Sequence, residues 1–297
     1  MDVASIHNGY SVNDGQVKTN INCKEEFFPF DYREDEKNER TSMRKLAISE
    51  FIPPIIYRIS RYVKKRFNKY KNITVIRHPF DAIPKEIKVN WILDVGANRG
   101  DVAIAALESY PNSNIICFEP VKSTFEELNK NLHPFLGRTQ TFNCALSDSN
   151  EEAEINITTS HGANSIEPQT AFHQECNPHV REVGKEKIQL VRLDDIAEKF
   201  PCQKFDIVKI DVEGHELSVL RGGEKFFSNN VDVIIIEISL MRDPSWNEQA
   251  VFDIFAFLKD AGFRLVNVMD LYYAEDKAVQ LAQMDCVFRH KSMLKMP

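Results

Sequence analysis

From Trp91 onward the chain alternates between short apolar runs and longer stretches in which apolar residues recur at helical spacing. The runs at 91–95, 114–118, 139–144, 205–211, 231–238, 262–268 and 284–289 read as strands. Between them, 101–109, 121–132, 215–227 and 247–261 carry the apolar stripe of amphipathic helices. Strands that take turns with helices predict a Rossmann-like, doubly wound, mostly parallel α/β sheet with helices on both faces. One stretch breaks the alternation. Residues 148–193, with "EEAEINITTS", "HGANSIEP" and "KIQLVRLDD", predict extra short strands and loops inserted between the third and fourth main strands.

Ahead of Trp91 the pattern is different. Residues 1–43 hold nine acidic and five basic side chains and no sustained apolar period, which predicts a flexible tail. Residues 44–71 reverse the sign, with nine Lys or Arg against Glu50. Beyond Pro53 and Pro54, the residues Ile55, Ile56, Ile59, Val63 and Phe67 recur at helical spacing with basic residues between them. This predicts a basic amphipathic helical extension over 44–85, ahead of an α/β domain at 86–297. Such a helix can dock on the domain with its basic face in solvent. It can also make a peripheral contact through 44–71 with an anionic surface such as the inner membrane face.

Composition narrows the classes. A net charge of −7 argues against a nucleic-acid partner. The six cysteines form no CxxC pair, which fits free thiols in a reducing compartment. No apolar run approaches the roughly 18 residues needed to span a bilayer, and the polar opening residues lack a signal-peptide core. A cytoplasmic protein is expected.

The chemistry starts at "LDVGANRGDVA", the turn after the first strand, and at Glu119, which closes the second. In a doubly wound sheet, ligands bind beyond the carboxyl ends of the strands where strand order reverses. Gly96 and Gly100 let the backbone turn and approach a guest, while Asp94 and Asn98 add polar groups. Glu119 follows Gly96 by 23 positions, close to the spacing of about 20 at which an acid receives ribose hydroxyls. A dinucleotide fingerprint needs glycines where this chain has Asn98 and Asp101, and the acid would repel a pyrophosphate. A nicotinamide-dependent oxidoreductase is therefore the weaker alternative. S-adenosylmethionine, with a ribose and cationic groups but no phosphate, fits better.

With "FEP" at 118–120, "NCALSD" at 143–148, "RLDDI" at 192–196, "KIDVEGHELSVLRGG" at 209–223 and "IIIEIS" at 234–239 in the same order, residues 91–289 resemble the FkbM family of class I S-adenosylmethionine-dependent O-methyltransferases. The resemblance implies a seven-stranded sheet with a reversed last hairpin. It implies cofactor contacts at Asp94, Gly96, Asn98, Gly100 and Glu119, and an adenine-side role for Ser147 and Asp148. It also implies a hydroxyl acceptor on a sugar, glycoconjugate or secondary metabolite.

Methyl transfer to oxygen calls for a general base near the carboxyl end of the fourth main strand. "IDVEGHE" offers Asp211 or Glu213 as base or substrate orienter, with His215 as the competing base. Asp211, Glu213 and Glu237 with His215 could instead gather a divalent metal, since carboxylates suit hard cations, although the spacing is not diagnostic and no metal site is assigned. Glu237 interrupts an apolar strand and is expected at its end, facing the cleft. From the insertion, His161, Asn164 and Ser165 are expected at the acceptor pocket. His173, Cys176 and His179 lack a fourth ligand for zinc. A non-catalytic nucleoside-binding or membrane-associated scaffold remains the reading from another class, and the oligomeric state is open.

Overall fold

The structure is a computed structural model that describes Phe80, Ile83 and residues 87–242, 249–274 and 280–294. The expected tail over 1–43 and the basic segment over 44–71 lie outside the described residues. Of the extension's remainder, Phe80 and Ile83 are buried in the core beside the first sheet strand.

Seven strands form the main sheet in the order β3-β2-β1-β7-β8-β10-β9, where β1 is Trp91–Val95, β2 Asn114–Phe118, β3 Thr139–Phe142, β7 Phe205–Ile210, β8 Val231–Ser239, β9 Phe263–Ala274 and β10 Gln280–His290. The first five of these in the order run parallel, and β10 is antiparallel to both β8 and β9, which gives the reversed last hairpin. Strand order reverses at β1, which pairs with β2 on one side and β7 on the other. A crevice is therefore expected beyond Val95 and Ile210.

Alternation along β1 explains why helices cover both faces. Ile92 points into one apolar cluster with Ala103, Ala106 and Leu107 of α1 (Asp101–Ser109) and Leu128 and Leu132 of α2 (Lys122–Leu132). Leu93 and Val95 point into the other. There they meet Val219 of α5 (Glu216–Gly222), Phe227 of α6 (Glu224–Asn230) and Leu258 of α7 (Gln249–Asp260). Period two in the strand and period 3.6 in the helix thus meet on each side. Among the described residues no helix is long and apolar enough to cross a membrane.

Two expectations change. The helix expected over 215–227 is two helices meeting at Gly223. A Cβ at Gly222 would overlap the carbonyl oxygen of Ser147, so the chain at the insertion's edge passes directly against the end of α5. The run expected over 139–144 ends as a strand at Phe142, because Ala145–Leu146 (β4) leaves the main sheet for a second one. In that sheet, Glu182–Val191 (β6) lies between β4 and Glu152–Thr158 (β5). The rest of the insertion carries the short helix α3, Ala171–Cys176.

Candidate active site

The crevice beyond β1 is a cleft whose apolar lining includes Phe118, Val121, Ala145, Leu146, Ile155 and Ile166. Its lining also carries the glycine turn and polar groups. Gly96, Asn98, Glu119, His161, Asn164, Asp211, Glu213 and His215 all reach it. Residues up to 119 positions apart in sequence thus share one site.

The glycine turn is built by backbone contact. Gly96 and Ala97 both donate from their N–H groups to the Phe118 carbonyl, at 3.0 and 2.9 Å. Gly96 has φ of +81°, and a Cβ there would overlap the Asp211 carbonyl oxygen. Asn98 also takes the left-handed region, with φ of +49°. Its N–H donates to Glu119 Oε2 at 3.0 Å, while Val121 N–H donates to Oε1 at 2.9 Å. Each carboxylate oxygen keeps acceptor capacity after these bonds. Burial pushes the Glu119 carboxyl up to about 7 despite the two backbone donors. The acid thus pins the first turn to the second while its remaining lone pairs are available to the cleft.

Asp94 lies beneath this turn and is 1% exposed, with both carboxylate oxygens lacking a hydrogen-bond partner. Burial pushes it up to about 6. The Lys209 ammonium on the neighbouring strand opposes that rise, and Asp94 does not itself line the cleft. Gly100 faces away from the cleft. At φ of +91° it allows close packing of α1 on α2, where a Cβ would come within 2.8 Å of Leu128 Cδ1. Its expected contact with a cofactor is therefore replaced by a packing role.

The second turn also differs from expectation. Ser147 is buried and Asp148 exposed, and neither lines the cleft; Cys144, Ala145 and Leu146 form that wall. Ser147 Oγ is instead 2.9 Å from His215 Nε2, and His215 Nδ1 is 3.1 Å from Glu167 Oε1. With both ring nitrogens engaged, His215 is a strut between the insertion and the strand-end loop, and not the free base that its sequence position suggested. Ser165 adds a second tie, donating from Oγ to the Glu213 carbonyl at 2.7 Å. It is 1% exposed and so braces the site in place of touching an acceptor. Asn164 lines the cleft but also accepts from Thr158 N–H at 2.8 Å, which holds its own hairpin. His215→Ala is expected to cost about 0.5–1.5 kcal/mol in urea unfolding, because buried Ser147 loses one of its two hydrogen-bond partners and keeps Asp148.

At the acceptor end, carboxylate oxygens of Asp211, Glu213 and Glu237 lie within 4.8 Å of one another. Glu213 is held at φ of +56° ahead of Gly214 at +103°. Glu216 Oε1 accepts from Gly214 N–H at 3.0 Å and from Val212 N–H at 3.2 Å, which fixes this loop from the first turn of α5. Glu237, near the end of β8, sits behind Asp211 and Glu213. It is 6% exposed, does not line the cleft, and accepts from the Gln283 side chain. Burial, reinforced by Asp211, Glu213 and Glu216, pushes its carboxyl well above the ordinary range.

Lys209 escaped the reading of the sequence. It lines the cleft, is 8% exposed, and places Nζ 2.6 Å from Asp211 Oδ2. Burial alone would lower its pKa, but Asp211 and Asp94 outweigh that and hold the ammonium above its usual value. The available signal is a cation among the buried apolar residues Ile207, Val208 and Ile210, opposite Asp94 in the β1–β7 register.

A mostly parallel, doubly wound sheet with a reversed last hairpin and a cleft at its switch point is a Rossmann-like fold. The chain belongs to the methyltransferase FkbM domain family, whose match spans residues 94–265. It is 31% identical over 160 residues to the hexuronic acid methyltransferase AglP of Haloferax volcanii, covering 54% of this chain and 59% of that one. Over 141 residues it is 30% identical to the 2-O-methyltransferase NoeI of Sinorhizobium fredii, covering 45% and 57%. Among solved structures, the methyltransferase FkbM of Methylobacillus flagellatus aligns with a TM-score of 0.43 at 14% identity, covering 70% of this chain and 45% of that one. The chain therefore spans less than two thirds of each of these three proteins.

Proposed function

We propose that the protein is an S-adenosylmethionine-dependent O-methyltransferase acting on a hydroxyl of a sugar, glycoconjugate or secondary metabolite. The observation that supports this reading is a single cleft lined both by the glycine turn with Glu119 and by Asp211 and Glu213 at the end of β7. The residues fit such a cofactor. The orphaned oxygens of Asp94 suit a cationic methionyl group, Gly96 leaves room for close backbone approach, and Glu119 retains acceptor capacity for ribose hydroxyls. When bound, S-adenosylmethionine supplies an electrophilic methyl group on a sulfonium.

The chain's own part is to hold and deprotonate the acceptor. Asp211, with its side chain 31% exposed at the cleft, accepts the hydroxyl proton, which frees the oxygen's electron pair for the methyl group. Glu213 orients the hydroxyl from the neighbouring position, and His161 and Asn164 form the acceptor side of the wall. The names of the relatives support a hydroxyl acceptor of saccharide type, since one is a 2-O-methyltransferase and the other acts on a hexuronic acid. Five described cysteines are free thiols, which agrees with a cytoplasmic enzyme.

Transfer of labelled methyl from S-adenosylmethionine to a panel of saccharides and hydroxylated metabolites tests the reading, with calorimetry against S-adenosylhomocysteine and NAD alongside. Binding of NAD but not of S-adenosylhomocysteine would sink it. Asp211→Asn is expected to lower kcat about a hundredfold, the lower end of what a positioned base contributes, while S-adenosylhomocysteine still binds.

A further inference from the structure

Asp211 stands in a crowd of like charges. Asp94 approaches from β1, Glu213 and Glu216 from the loop and helix that follow, Glu237 from β8 and Asp285 from β10. Burial pushes Asp94 and Asp285 up to about 6 and Glu237 well above the carboxylate range, with the Asp211 charge adding to each. Like charges gathered this closely repel one another, and a cation in contact offsets that repulsion. The cation in contact with Asp211 is Lys209. The two are i and i+2 at the end of β7, so their side chains leave on one face of the strand, and Nζ reaches Oδ2 at 2.6 Å. The lysine side chain is 10% exposed and the aspartate 31%, so the pair is closed on the protein side and open toward the cleft.

We propose that Lys209 is a positioning residue for methyl transfer: its ammonium supplies the counter-charge and the hydrogen bond that let Asp211 stand as a carboxylate directed at the acceptor hydroxyl. This rests on the reading of Asp211 as the base. Lys209 itself keeps its proton throughout; the proton lost by the hydroxyl goes to Asp211 and then to solvent at the open end of the cleft. The arrangement also explains why a lysine is tolerated between the buried Val208 and Ile210.

The test is the pH dependence of kcat at saturating donor for the full chain, compared among wild type, Lys209→Gln, Lys209→Arg and Asp211→Asn. An opposite charge at this range displaces a carboxyl titration by roughly 1–3 units. In Lys209→Gln, which keeps a hydrogen-bond donor but no charge, the acidic limb of the profile is expected to move up by at least about one unit. The rate lost at neutral pH should return as the pH is raised. Lys209→Arg should leave the limb near its wild-type position. A limb unmoved in Lys209→Gln, with Asp211→Asn strongly impaired, overturns the role of Lys209 and leaves the base assignment intact. Asp211→Asn as fast as wild type at every pH overturns both. Should Lys209→Gln fail to fold, the double variant with Asp211→Asn decides the matter by urea unfolding. Recovery of the fold when both partners are gone supports the pairing, and no recovery overturns it.

Discussion

Gly96→Ala is expected to unfold the protein at a urea concentration well below wild type and to leave no measurable binding of S-adenosylhomocysteine by calorimetry. Two costs combine. A residue with a Cβ pays about 1–2 kcal/mol to hold the left-handed conformation, here φ of +81°. The added methyl would also overlap the Asp211 carbonyl oxygen, with Val212 Cγ1 a further 3.3 Å away. Backbone cannot swing aside as a flexible side chain does, so overpacking adds about 1–3 kcal/mol. The total of about 2–5 kcal/mol is a large share of an ordinary domain's stability.

The displacement would also fall where function is concentrated. Asp211 N–H donates to the Val95 carbonyl at 3.0 Å, so the β1 turn and the β7 end are fastened together at the base of the cleft. Pushing them apart separates the cofactor turn from the proposed base. Gly100→Ala makes the comparison sharp. Its Cβ would meet Leu128 Cδ1, the end of a flexible side chain, so it should destabilise while retaining more cofactor affinity than Gly96→Ala.

The parts of this fold that were legible in the sequence are those specified locally. β1, α1 and β2 follow from period two, period 3.6 and a glycine turn, each carried by residues close in the chain. Glu119 was found by spacing, because a strand, a turn and a helix of ordinary length separate it from Gly96. Asp211 and Glu213 were found because a strand end puts nearby acids at the cleft. What escaped depends on distant partners. His215 meets residues 68 and 48 positions away, so neither of its hydrogen bonds leaves a local trace, and the free-base reading fails for that reason. Lys209 is intelligible only beside Asp94 on the neighbouring strand. The need for glycine at 222 depends on the Ser147 carbonyl, 75 positions earlier.

Asp94→Asn is expected to stabilise the cofactor-free protein at pH 8 and to weaken S-adenosylhomocysteine binding about a hundredfold, a loss of the size expected when one buried charge partner is removed. The first half follows from linkage. The Asp94 carboxyl is raised from 3.8 to about 6, first by burial and further by Asp211, against the opposing pull of Lys209. A raised carboxyl contributes its full stability below the unfolded value and loses it as pH rises through the folded value. The fall should therefore lie between about pH 4 and pH 7 and amount to at most roughly 3 kcal/mol, at 1.36 kcal/mol per unit. Glu119, at about 7, and Asp285, at about 6, slope the same way, so wild type should lose stability across this window. Asparagine keeps the shape of the side chain without the charge, so Asp94→Asn should be the more stable protein at pH 8, with the gap closing near pH 4. The second half follows from the proposed cofactor: a methionyl ammonium that reached the orphaned oxygens of Asp94 would lose a counter-charge in the variant. Urea unfolding of both proteins at pH 4.5, 6 and 8, with and without S-adenosylhomocysteine, reads both effects at once. If Asp94→Asn is no more stable than wild type at pH 8, or binds the ligand equally well, the carboxylate is not serving as the cofactor's counter-charge.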